Sequence, residues 1–202
     1  MPTSRLEAFS DGVLAIIITI MVLELKVPEG PTLHDLLHTT GSSLLTYLLS
    51  FVYVGIYWNN HHHMFQLVRQ VHGGVLWANL ALLFCLSLFP LTTAWVDETD
   101  FVPTPVVVYG INLLAAAVAY FVLQTLIIRQ QGPESPLRRA IGPDLKGKAS
   151  PPLYVAGILS ALLISGHAGA GIGEGFFVVV AIMWIVPDRR IERAIRDGGP
   201  LG

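Results

Sequence analysis

The sequence predicts an all-α integral membrane bundle of six transmembrane helices, and three observations carry that expectation. Hydrophobic residues make up 53% of the 202-residue chain and charged residues only 13%, against about a quarter charged in soluble domains. Charge is also unevenly spread: long stretches hold almost none, as a lipid-facing surface requires. Finally, six stretches approach the ~20 residues that a helix needs to cross the hydrocarbon core. They span approximately 6–25, 43–63, 74–96, 105–128, 152–171 and 174–187.

Taken in order, the first span is preceded by Ser4 with Glu7 three residues on, the spacing of a capping box. Its length and the lack of a small-residue cleavage site predict a span rather than a signal peptide. Pro28, Gly30 and Pro31 stop it, and residues 26–42 read as an outer loop. Gly73 and Gly74 separate the second and third spans, and Asp97, Glu98 and Asp100 make the loop after the third acidic. The fourth span opens on Val106-Val107-Val108-Tyr109-Gly110. That string superficially resembles a potassium filter, but Val108 stands where a glycine is needed, and a β-branched residue resists the required dihedrals. Residues 133–152 read as the longest loop. The glycines at 166, 169, 171, 173 and 175 read as an irregular connection between the last two spans.

With both termini cytoplasmic, eleven of the twelve lysines and arginines fall on the inner side and only Lys26 outside, as the positive-inside rule demands. An odd number of spans spoils this partition. The net charge of −2 offers no basic field for nucleic acid. Cys85 has no partner for an internal disulfide and reads as a small buried hydrophobe. There is no nucleophile with a nearby base, no metal triad and no nucleotide-binding loop, so no enzyme and no cofactor are expected.

The first span is unusual in carrying Arg5, Glu7, Ser10, Asp11, Thr19 and Glu24 within or beside it. Polar groups in a membrane helix are costly and mark function. On a helical wheel Arg5, Phe9, Gly12, Ile16, Thr19, Ile20 and Leu23 lie within roughly 50° of one line. Glu7 and Asp11 share a second face, and Ser10 points away from both. Ordinary helix packing also produces such an apolar stripe.

Arg5, then Phe9-Ser10-Asp11-Gly12-Val13-Leu14-Ala15-Ile16-Ile17-Ile18-Thr19, closely resembles the signature first helix of the transmembrane protein 175 family. That family comprises lysosomal two-repeat potassium channels and bacterial single-repeat relatives, and the length of this chain fits the single-repeat form as one channel domain over residues 1–202. The resemblance implies a homotetramer with four first helices around the axis and no glycine-rich filter. It implies that Ile16 constricts the pore, with Thr19, Ile20 and Leu23 lining the path beyond it. Family members often carry leucine where this chain has Ile20. The family also places a tryptophan and histidines near the end of the second span, so Trp58, His61 and His62 are candidate partners of the motif residues Arg5, Phe9, Ser10 and Asp11.

A ring of four isoleucines leaves a narrow dry passage that water and ions enter only when it widens. Potassium sheds its hydration more readily than sodium, so a potassium-over-sodium selective channel is expected, and the resemblance to the short single-repeat form implies a prokaryotic plasma membrane. A proton- or ion-coupled secondary transporter using Asp11 and the histidines is the alternative, although neither an inverted repeat nor a broken midplane helix is visible. The run His61-His62-His63 fans out at about 100° per residue and cannot converge on one metal. His34 and His38, four apart in the outer loop, read as a solvated helical turn. Asn79 and Asn112 read as hydrogen-bond partners between helices.

Overall fold

The computed structural model describes residues 2–185, and every regular element within them is a helix. The helices are α1 (Thr3–Leu23), α2 (Leu33–Gln66), α3 (Gly73–Ser87), α4 (Phe89–Glu98), α5 (Pro103–Gln131), α6 (Pro136–Ile141), α7 (Leu145–Leu163) and α8 (Gly166–Ile185). Five helical runs are long and apolar enough to cross a membrane: Thr3–Leu23, Leu33–Gln66, Gly73–Glu98, Pro103–Gln131 and Gly166–Ile185. The end of the last expected span and the arginines at 189, 190, 193 and 196 lie outside the described residues.

Several boundaries differ from the sequence reading, each for a local reason. The Ser4–Glu7 capping box is not used. α1 begins at Thr3 behind Pro2, without a side-chain cap. The capping box forms instead at Thr32–Asp35, where each side chain bonds the other's backbone N–H. It starts α2 at Leu33, so the supposed outer loop is partly helix, and His34 and His38 stack on its first turns with ring centroids 6.1 Å apart. The expected loop over 133–152 contains α6 and the first turns of α7.

The expected fifth span, 152–171, is divided differently. α7 ends at Leu163, Ile164 is extended, and Gly166 at φ +72° turns the chain into α8. α7 also carries Lys146, Lys148, Pro151 and Pro152 in its first half. The apolar remainder, residues 153–163, is about 16 Å long at the α-helical rise, short of a ~30 Å hydrocarbon core. The glycine-rich stretch is helical, not irregular. Its glycines allow close approach: a Cβ on Gly173 would lie 2.8 Å from the Gly157 carbonyl oxygen, and one on Gly157 would lie 2.6 Å from the Phe177 ring. Small residues at such crossings are how membrane helices pack without a solvent-driven force.

The third span is one run in two pieces. Pro90 has no N–H for the helical ladder, and the Leu88 N–H turns to the nearer Cys85 and Leu86 carbonyls instead of one four residues back, so α3 ends and α4 restarts with a break at Leu88. α5 lies at the centre, against α3, α4, α6, α7 and α8. Beside it Tyr53, Phe89, Tyr109, Tyr154 and Phe177 form a ring cluster with neighbouring centroids 6.0–6.4 Å apart. Their hydroxyls are satisfied inside: Tyr53 donates to the Phe177 carbonyl at 2.5 Å, and Tyr109 pairs with Ser50, which also pairs with Thr93 at 2.6 Å. This cluster makes α2, α4, α5, α7 and α8 one packed wall. α1 lies outside it, against α2, α3 and α4.

Candidate functional site: the first helix and its supports

α1 packs through Thr3, Leu6, Ser10, Leu14, Ile17 and Met21, a run at three- and four-residue intervals. The opposite side is open. Ile17 is 3% exposed while its neighbour Ile16 is 59% exposed, and Leu23 reaches 81%. Arg5, Phe9, Gly12, Thr19 and Ile20 are exposed with them, so the whole sequence-predicted stripe is uncovered in a single chain. Thr19 donates its hydroxyl to the Ile16 carbonyl at 2.8 Å. Its oxygen lone pairs therefore remain available on the exposed face.

Polar contacts hold the rotation of α1. At its start Thr3 donates to the Val68 carbonyl at 2.9 Å, and Pro2 bridges to Gln70. Just past its end, the Lys26 carbonyl accepts from Thr40 at 2.8 Å. Between them lies a chain of buried groups from three helices. Asn79 of α3 donates to the Ser10 hydroxyl oxygen at 3.0 Å, and its own carbonyl oxygen is 2.8 Å from His61 Nε2 on α2. Ser10 in turn donates to Leu6 O at 2.9 Å. Each link donates in one direction, from His61 through Asn79 and Ser10 to the α1 backbone. An amide in the middle makes this a clamp between helices rather than a route for protons.

The other motif residues sit at the edge of the open face. Trp58 Nε1 donates to Asp11 at 3.0 Å. The Trp58 ring stacks on His62, with centroids 6.1 Å apart at 14°, and His62 Nδ1 is 3.8 Å from Glu7. Trp58 and His62 thus meet the acidic face of α1, whereas His61 reaches the motif only through Asn79. Arg5 is exposed and has no hydrogen bond or ion pair among the described residues. Sequence reasoning placed Asn79 generically between helices but not at the centre of this clamp. The signal for it is a lone amide in an otherwise apolar run. Asn112 differs, since its side-chain nitrogen is buried without a partner among the described residues. No cluster of three or more metal-ligating side chains occurs among the described residues.

A family model described as the endosomal/lysosomal potassium channel TMEM175 matches residues 5–90, which hold α1, the clamp and all of α2 and α3. A protein named as a potassium channel in Chryseobacterium sp. (strain P1-3) is 50% identical over 98% of this chain and the whole of that one. The chain belongs to the TMEM175 family. A second protein named as a potassium channel, in Chamaesiphon minutus, is 41% identical over about half of each chain. The human TMEM175, named an endosomal/lysosomal proton channel, is 27% identical over 91% of this chain and 36% of its own length. The fold agrees with the crystal structure of a lysosomal potassium-selective channel TMEM175 homolog from Chamaesiphon minutus, with a TM-score of 0.71 at 28% identity over 92% of this chain and 97% of that one. TMEM175 proteins are ion channels, not enzymes, and the apolar helices make this member a multi-pass membrane protein.

Proposed function

We propose that four copies of this chain form a homotetrameric, potassium-over-sodium selective channel, with the open face of α1 lining the pore. The carrying observation is the uncovered stripe from Arg5 to Leu23, which holds a hydroxyl and a guanidinium on a face that none of the described residues covers. Lipid alone would favour an unbroken apolar face there. Ile16 forms the narrow point, with Ile20 and Leu23 beyond it and Thr19 supplying an oxygen ligand between them. Arg5, Phe9, Ser10 and Asp11 orient the helix together with Trp58, His61 and His62. Potassium is the conducted ion, no cofactor takes part, and the only other partners are membrane lipids. Six crossings, with the 19-residue α7 using its full length of about 28 Å and its Lys146 and Lys148 at the cytoplasmic surface, leave both termini on the cytoplasmic side of a prokaryotic plasma membrane. The bacterial relatives named as potassium channels support the choice of ion.

Purified protein in liposomes tests this under paired potassium and sodium gradients. Replacing Ile16→Asn wets the constriction, and we expect faster flux with weaker discrimination. Unchanged flux and selectivity remove Ile16 from the pore. In a Cys85-free background, cysteines at 16, 19 and 23 that react only with lipid-soluble thiol reagents overturn the lining assignment for all of α1.

A second reading is proton passage, favoured by the name of the human relative and by the His62–Glu7 pair beside the motif. A pH-gradient arm of the same assay separates the two. Strict coupling of potassium movement to protons would instead favour a secondary transporter.

A further inference from the structure

A cavity of about 360 Å³ lies on the far side of α2 from α1. Its walls come from α2, α5, α7 and the tip of α8, with Ile56, Ala117, Val118 and Phe121 supplying apolar surface. Val118 and Phe121 are also exposed on the outside of α5. The cavity therefore opens at the side of the bundle onto exposed apolar surface of α5.

Two polar groups inside it have no hydrogen-bond partner among the described residues. Gln124 is 8% exposed, lines the cavity, and uses neither its amide nitrogen nor its carbonyl. Tyr57 is exposed to the same small extent as a residue and also lines the cavity, and its hydroxyl makes no hydrogen bond among the described residues. The buried side-chain atoms without a partner among the described residues are Asn112 Nδ2 and Glu174 Oε1, so the unpaired ends of Gln124 and Tyr57 open onto the cavity, where an occupant can supply both a donor and an acceptor. At the mouth, Asp144 accepts from the Gly147 N–H at 2.9 Å, and Lys148 stands four residues on. Their charges offset, and the groups deeper in are neutral.

We infer that this cavity binds one neutral amphiphile from the bilayer, its apolar chain between α2 and α5 and its uncharged hydroxyl-bearing head on Gln124 and Tyr57. The pocket is apolar along most of its wall, opens at the side of the bundle, and ends in neutral hydrogen-bonding groups. A carboxylate or ammonium head would find no unopposed counter-charge in it. The pocket is separate from the α1 face, so occupancy is measurable whether or not α1 lines a pore.

The test uses the purified full chain in phosphatidylcholine nanodiscs with a diazirine-bearing monoacylglycerol, mapping cross-linked peptides by mass spectrometry. Labelling is expected on the segments holding Ile56 and residues 117–121, displaced by unlabelled monoacylglycerol but not by a fatty acid or an alkylammonium of equal chain length. Gln124→Leu, close to isosteric, should lower labelling about fivefold, the worth of roughly one hydrogen bond. Ala117→Phe should block it by filling the cavity. Labelling confined to outward residues such as Phe84 and Ile182, or unaffected by both substitutions, overturns the site. Equal displacement by a charged analogue overturns the neutral head.

Discussion

α1 and α5 are both long apolar helices, yet the fold uses them in opposite ways. α5 buries eleven of its 29 residues, drawn from several sides, because α3, α4, α6, α7 and α8 surround it. α1 buries six of 21, all along one line, and leaves the other side bare. Mean hydropathy does not separate them; what does is where each keeps its polar groups. α5 holds Tyr109 and Gln124 inward, while α1 sets Ser10 inward and Arg5 and Thr19 outward. α5 is therefore the structural post of the subunit, and α1 is a helix clamped in rotation so that one face stays available.

The contrast is open to measurement, and the largest effect should fall on α5. Leu113→Ala, at a fully buried position, should destabilise the subunit by about 2–5 kcal/mol in a reversible unfolding assay, as large-to-small core changes do. Less than 1 kcal/mol would mean that α5 is not the post. Next comes the clamp. Asn79→Leu removes both of its bonds and should cost about 1–3 kcal/mol, with α1 losing its fixed rotation in site-directed spin-label spectra. A smaller cost is expected from Trp58→Phe, which keeps the ring but drops the Asp11 bond; interhelical hydrogen bonds in membranes average about 0.6 kcal/mol. The smallest is Ile16→Ala. It should change ion flux while leaving subunit unfolding within about 0.5 kcal/mol, because the side chain touches little in its own chain. A large loss of subunit stability there would erase the distinction between the two helices.

Much of the α1 arrangement was legible beforehand because helical periodicity is a local property. Ile16, Thr19, Ile20 and Leu23 share a side whatever the rest of the chain does, and Ser10 lies opposite. The link from His61 through Asn79 to Ser10 was not legible, since it depends on how three separate helices are turned toward one another. The start of α2 was missed for another reason. Thr32 and Asp35 carry the spacing of a helix start, but Pro28, Gly30 and Pro31 just before them drew the whole segment into a loop. The glycines of α8 misled in the opposite direction. In water they signal a break, but here Gly173 faces Gly157 and lets two backbones touch. The end of α7 depended on Gly166 alone among the five, the one with a left-handed backbone.

The break at Leu88 reaches further than the third span itself. Below it α3 grips α1 at Ser10; above it Pro90, Thr93 and Ala94 of α4 border one small cavity together with Met21 of α1 and Glu24 just past its end. The two ends of α1 thus lean on two helices joined at a break in the backbone ladder. A tilt of α4 would push the far end of α1 sideways while its near end stayed anchored; in the proposed pore, that geometry would change the bore at one end only, like a tapering tube.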